Sequence, residues 1–251
     1  MIKKRSKRYL ENKKKVFEIK TASINDAIKT FKSNKTVKFD ETLDISVMLN
    51  KEKNKGEGLS RGYVQLPNGT GKKIHVAVFA TGDKVKEAKD AGADIVGNED
   101  LIKDVKDGKI NFDVAIATPD MMKNIAVIGE KLGPLGMMPN PKTGTVTDDL
   151  SKTIKNIKGG QIQFKSEKNA IVQAGIGKLS FTEENLILNF KEFISAIKKS
   201  KPDSIKGKFI NKIYLSTSMG PSIRIENIKK FSWLIKFFNY FLELFKDCRC
   251  F

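Results

Sequence analysis

Between residues 74 and 131 the chain alternates apolar runs of strand length with amphipathic runs of helix length, and this alternation restricts the fold more than anything else in the sequence. "IHVAVF", "ADIVG" and "FDVAIA" are the strand candidates; "DKVKEAKDAG" and "EDLIKDVKDG" between them repeat apolar residues at helical spacing and close on glycine, and a third helix opens at Thr118, Pro119 and Asp120. Strands apolar on both faces and joined by helices predict a small parallel sheet covered on both sides, because each parallel crossover has to pass over a face of the sheet.

The flanking thirds read differently. In "SINDAIKTF", Ser23 is an N-cap and Ile24, Ala27, Ile28 and Phe31 share one helix face; "TLDISVML" alternates as a half-buried strand, and "GYVQL" is a second strand running into the turn "PNGTG". Beyond residue 159, "GQIQFKSE" and "AIVQAG" read as a hairpin, "TEENLILNFKEFISAIKKS" as a helix and "FINKIYLSTSMGPSIRIE" as further strands.

Charge separates the same three parts. The chain of 251 residues has a formal net charge of +18, of which residues 1–71 supply +9, residues 72–158 only +1 and residues 159–251 the remaining +8. A basic surface must therefore come from the two ends, and a polyanion is the partner to expect. We read the fold as α/β with two domains: a discontinuous α/β domain one, residues 1–67 plus 159–227, and an inserted Rossmann-like parallel-sheet domain two, residues 68–158, with hinges near Pro67 and Gly159-Gly160. Residues 228–251 form an apolar extension; its core "FSWLIKFFNYFLELF" has fifteen residues, short of the ~20 that span a bilayer. Docking on the protein, a place at a membrane surface and an extension without function are its readings; the last is preferred, and membrane contact through it is not expected.

Catalytic signatures fail one by one. The single histidine, His75, falls in a strand with no evident carboxylate partner and reads as a strand histidine. "LPNGTGKK" misses the phosphate-loop pattern twice, with Leu66 where glycine and Lys73 where serine or threonine is required. No G-x-G-x-x-G follows a strand. Asp113 and Asp120 could be imagined as a carboxylate pair, but Asp120 suits the first turn of a helix. The only cysteines, Cys248 and Cys250, lack the further ligands of a zinc site. No cofactor, metal or small-molecule substrate is expected; the alternative reading is a nucleotide-dependent α/β enzyme built on the parallel sheet.

"KFDETLDISVML", "RGYVQLPNGTGKKIHVAVFA", "AGADIVGNEDL", "FDVAIATPDMM", "LGPLGMMPNPKTGTVT" and "STSMGPSIRI" occur in this order and spacing, and together they resemble the ribosomal protein L-one family, the mobile-stalk proteins of the large subunit, bacterial type, from Tyr9 to about Glu226. The resemblance implies two α/β domains, the second inserted into the first. Its implied partners are large-subunit ribosomal RNA, the exit-site tRNA whose release the stalk assists, the ribosome itself and, for regulation, the protein's own operon messenger RNA. It implies a ribosome-bound location in the cytoplasm, with an organelle ribosome also open.

By the same resemblance the RNA patch falls on Lys38, Phe39, Asp40, Glu41 and Thr42 and on the turn Ser218, Met219 and Gly220. A-form RNA offers 2′-hydroxyls in a shallow minor groove, which hydroxyl, carboxylate and backbone groups can meet. Ser218 can donate and accept, Gly220 permits close approach, Met219 and Phe39 can pack on a ribose or base, and Asp44 or Glu41 can accept a hydrogen bond. Lys165 and Lys178 are candidate phosphate contacts. The chain departs from the bacterial pattern at Glu52-Lys53-Asn54, at Leu135 and at Ser218, where threonine is more usual.

One stretch stays outside that patch. "GPLGMMPNPKTGT", residues 133–145, holds three of the seven prolines. It reads as a stiff, partly extended connector, with Gly133, Gly136 and Gly144 free to take positive φ and Lys142 as a possible secondary RNA contact.

Overall fold

The computed structural model describes residues 6–17, 21–50, 61–82, 84–108, 110–167, 169–202 and 207–226. The apolar extension, the cysteines and Glu52-Lys53-Asn54 lie outside the described residues. In chain order the elements are α1 Lys7–Phe17, α2 Ile24–Ser33, β1 Thr42–Leu49, β2 Arg61–Gln65, β3 Val76–Phe79, α3 Lys84–Asp90, β4 Ile95–Gly97, α4 Glu99–Lys106, β5 Val114–Ala117, α5 Met122–Ala126, α6 Gly129–Leu135, α7 Leu150–Lys158, β6 Gln161–Lys165, β7 Ile171–Lys178, α8 Glu183–Lys199, β8 Ile210–Thr217 and β9 Ser222–Ile225.

The expected parallel sheet is present, in the order β4-β3-β5. Ala77, Phe79, Ala115 and Ala117 of one face pack on apolar residues of α4, α5 and α6; Val76, Val78 and Ile116 of the other pack on Ala88 of α3 and on Leu150, Ile154 and Ile157 of α7. Both faces are covered, and strands buried on both sides have no polar alternation to show. The third predicted helix begins instead as a 3-10 turn, Pro119–Met121, which passes into α5.

The outer thirds build a four-stranded antiparallel sheet in the order β7-β1-β8-β9. Leu43, Ile45, Val47 and Leu49 of β1 point inward, as the alternation requires, onto Ile24, Ala27, Ile28 and Phe31 of α2 and onto the buried stripe of α8. Ser23 caps α2 by accepting from the Asp26 N–H at 3.3 Å, and Thr182 caps α8. The fold is therefore mixed α/β, with an antiparallel sheet and a three-stranded parallel sheet.

The hairpin expected from "GQIQFKSE" and "AIVQAG" survives only as a single bridge, Ser166 to Val172. Past it the strands part: β6 pairs with β2, from Arg61↔Lys165 to Gln65↔Gln161, while β7 pairs with β1. Pairing β2 with β6 brings the chain's exit towards the parallel sheet beside its return. Leu66 N–H donates to Gly160 O at 3.2 Å, and a Cβ on Gly160 would stand 2.4 Å from the Gly69 Cα.

The proline-rich stretch is less extended than its composition suggests. Pro134 lies inside α6, which ends on Gly136 at φ +72. Gly133 is helical, so only Gly136 and Gly144 use the left-handed region. After a short extended run, Pro141–Thr143 makes a 3-10 turn locked by Asn140, whose carbonyl accepts from the Thr143 and Thr145 hydroxyls. Val146 then bridges to Ala117 and continues the parallel sheet at its β5 edge. The loop also touches the other sheet pair, because a Cβ on Gly144 would lie 3.5 Å from the Tyr63 ring of β2.

Candidate nucleic-acid interface

The segments singled out near residues 40 and 218 meet at one end of the four-stranded sheet. β1 begins at Thr42 where β8 ends at Thr217, and the antiparallel register Leu43↔Thr217 continues one step further through one side-chain and one backbone bond. Thr42 N–H donates to Ser218 Oγ at 3.1 Å, and Ser218 N–H donates to Thr42 O at 3.2 Å. The Ser218 hydroxyl, read as a ribose partner, thus accepts from the backbone of Thr42 and first serves to fasten the two strand ends together.

On the other side of β1, Thr42 pairs with Lys178 of β7. The Lys178 ammonium donates to Thr42 Oγ1 at 2.9 Å and to Asp40 O at 3.4 Å. Ser180, which sequence reasoning missed, holds Asp40: its N–H and its hydroxyl donate to the two carboxylate oxygens at 3.2 and 2.6 Å. No periodicity marks Ser180, since its importance comes only from the turn after β7. Asp44 sits one bulge further along β1 opposite Gly175, where a Cβ would stand 3.3 Å from its carboxylate. Burial pushes the Asp44 carboxyl above the ordinary aspartate range, and the nearby Lys178 charge opposes that shift.

The rim carries two exposed apolar side chains, Phe39 at 52% and Met219 at 46% of full exposure. Lys38 is exposed beside Phe39. Glu41 is different: it is buried, and its carbonyl accepts from Leu179 N–H at 2.9 Å, so its carboxylate is not on the surface offered to a ligand. Gly220 is explained by the turn itself, since a Cβ there would lie 2.3 Å from Thr217 Oγ1.

Two lysines of the sequence reading fall elsewhere. Lys165 ends β6 next to the Ser166–Val172 bridge, while Lys178 is six residues further along β7, a separation of about 20 Å at ~3.4 Å per residue. It is exposed but not part of the rim. Lys142 belongs to the 3-10 turn of the proline loop, next to Gly144 and hence near β2. Nor do Asp113 and Asp120 pair: Asp113 precedes β5 and bonds Lys72 and the His75 N–H, whereas Asp120 follows the strand's other end. Contact with Lys72 first, then the His75 N–H, holds the Asp113 carboxyl below the usual range, which marks a structural ion pair rather than a proton-transfer pair. His75 lies just ahead of β3 and is exposed. Among the described residues no cluster of histidine, cysteine and carboxylates suits a metal ion, and no helix is long and apolar enough to cross a membrane.

A rim of this make-up, on a chain charged +18, fits a polyanion with a readable surface. Residues 28–221 match the profile of the Ribosomal protein L1p/L10e family, which takes in both the 38–44 segment and the 218–220 turn. The chain belongs to that family. It is a ribosomal protein of the large subunit and binds ribosomal RNA. Membership places the protein on the ribosome.

Proposed function

We propose that the rim formed by Lys38, Phe39, Asp40, Thr42 and Asp44, with Lys178 and the turn Ser218, Met219 and Gly220, is the surface that holds a structured segment of large-subunit ribosomal RNA. The observation that carries this reading is the pair of exposed apolar tips, Phe39 and Met219, on two strand ends fastened by the Thr42–Ser218 bonds. Exposed apolar side chains on a stiff mount can pack against ribose or base, while Lys38 and Lys178 supply charge. Asp44 and the Thr42 hydroxyl can accept from 2′-hydroxyls or an amino group in a minor groove.

On this reading residues 1–67 and 159–227 form the RNA-binding domain and residues 68–158 an inserted second domain. The Leu66–Gly160 bond and the contact of Gly69 with Gly160 put both chain crossings side by side, the arrangement that allows a hinge. The protein serves the stalk by assisting release of exit-site tRNA, with Lys142 as a secondary phosphate contact. When free, it represses its own operon messenger RNA through a structure that imitates the ribosomal site. Its role is structural and regulatory, with no catalytic step of its own.

Binding of a stalk ribosomal RNA fragment, titrated across salt concentrations for wild type and Met219→Ala, tests the reading. Burying the exposed half of a methionine is worth about 1 kcal/mol, so the variant should bind about fivefold more weakly at every salt concentration, with the same slope. Equal affinity of the two proteins would remove Met219 and the rim from the interface.

A further inference from the structure

The segment "PNGTGKKI", residues 67–74, fails as a nucleotide phosphate loop by sequence, yet its backbone takes a geometry that anion seats use. It connects β2 to β3 and, with Lys158, Gly159 and Gly160, lines an open cavity of about 500 Å³. Gly69 at φ +65 and Gly71 at φ +73 flank Thr70, giving backbone of alternating hand, in which successive N–H groups can turn to one side and form an anion-binding concavity.

Four backbone donors of this loop have no acceptor among the described residues. Among the described residues nothing accepts from the N–H groups of Thr70, Gly71, Lys73 or Ile74, whereas those of Asn68, Gly69 and Lys72 bond to Asn189 Oδ1, Leu66 O and Thr70 Oγ1. The loop is braced from behind. Asn189 of α8, fully buried, also donates to Gly69 O at 3.0 Å. A braced loop has less entropy to lose when an anion arrives than a slack one.

Charge selects the ligand. Lys72 and Lys158 at the cavity are paired with Asp113 and Asp94, and Lys73 is exposed with no carboxylate at ion-pair distance among the described residues. The strand β3 follows the loop, so the helix N-terminus that completes a nucleotide site is missing from this one. The loop instead adjoins the rim: a Cβ on Gly71 would lie 2.9 Å from Lys178 Cγ. Lys178 in turn bonds Thr42.

We propose that residues 67–74 seat a phosphate of the bound RNA's backbone, held by the Thr70, Gly71, Lys73 and Ile74 N–H groups and the Lys73 ammonium. This rests on the rim being the RNA interface, which it extends past Lys178 to the point where the chain crosses between the two sheets. The phosphate group could in principle come from RNA, a free nucleotide or inorganic phosphate, and continuity with the rim favours RNA.

The test uses the full chain. Backbone amide resonances are followed while stalk ribosomal RNA, ATP and inorganic phosphate are added in separate titrations, and RNA affinity is measured against salt for wild type and Lys73→Ala. The expected result is a saturable shift of the Thr70, Gly71, Lys73 and Ile74 amides with RNA. Lys73→Ala should lose one phosphate contact, lowering the log–log salt slope by about 0.7–0.9, so that its weakening from 50 to 200 mM salt is about threefold smaller than wild type's. RNA that binds without moving those four amides, or an unchanged slope, overturns the phosphate seat and leaves the rim standing. Saturation by ATP or phosphate with no response to RNA overturns the assignment to RNA. RNA that binds neither wild type nor variant sinks the rim reading and this one together.

Discussion

Asn189 is the residue whose loss should be felt most for its size. Its amide is fully buried in α8 and makes four contacts: the side-chain nitrogen donates to Ile176 O at 2.8 Å and to Gly69 O at 3.0 Å, and the oxygen accepts from Asn68 N–H at 3.2 Å and from the Asn68 amide at 3.4 Å. In Asn189→Ala the partners differ in fate. Asn68 and Gly69 are part-exposed, and water can replace what they lose; Ile176 is buried, and its carbonyl stays unpaired. An unpaired buried acceptor costs about 1–3 kcal/mol, and the small void left by the amide adds to it, giving a loss of about 2–4 kcal/mol. At a urea dependence of about 3 kcal/mol per molar, the midpoint should fall by about 1 M. Asn189→Asp keeps the acceptor, loses both donors and buries a charge, so it should cost at least as much. Leu188→Ala, on the exposed side of the same helix, controls for helix propensity and should stay within about 0.5 kcal/mol of wild type. A midpoint shift below ~0.3 M for Asn189→Ala, or a tolerated aspartate, would refute the assignment of this amide as the brace of the 67–74 loop.

Two further perturbations probe the crossing and the rim. Gly160→Ala combines φ +99 with a Cβ only 2.4 Å from the Gly69 Cα, so it should lower the melting temperature by about 5 °C or more, whereas Gly82→Ala, at φ +62 with open space around it, should lose only the ~1 kcal/mol of the left-handed conformation. Equal effects at the two glycines would show that the backbone contact carries no weight. For Asp44, burial raises the folded-state pKa, so the stability linked to its proton is complete below the ordinary aspartate range and lost as pH rises through the raised value. The stability advantage of Asp44→Asn over wild type should therefore widen from about pH 4 upward and then level off, as read by denaturant unfolding at several pH values; a pH-independent difference would show that the carboxyl is not desolvated.

Much of the fold was legible from spacing alone. The alternation in β1 and the i, i+3, i+4, i+7 pattern in α2 identified buried faces that the structure confirms residue by residue. α7, a stretch to which the sequence reading assigned no element, has the same kind of apolar stripe as α2, with Leu150, Thr153, Ile154 and Ile157 buried. The rim was legible only through resemblance, and the structure changed the parts of its members: Ser218 and Gly220 build the turn, Glu41 is buried and Lys165 lies at the far end of β7.

By itself the sequence determined which faces are apolar, where helices start and that the two ends of the chain carry the charge, because these depend on side-chain chemistry and on periods of 2 and 3.6 residues. Only the tertiary structure decided that β2 leaves β1 to pair with β6, that Ser180 holds Asp40 and that Asn189 braces a loop some 120 positions away. Backbone hydrogen bonds look alike in every strand, so the choice of partner is made by the packing of the whole chain and leaves no local mark to read.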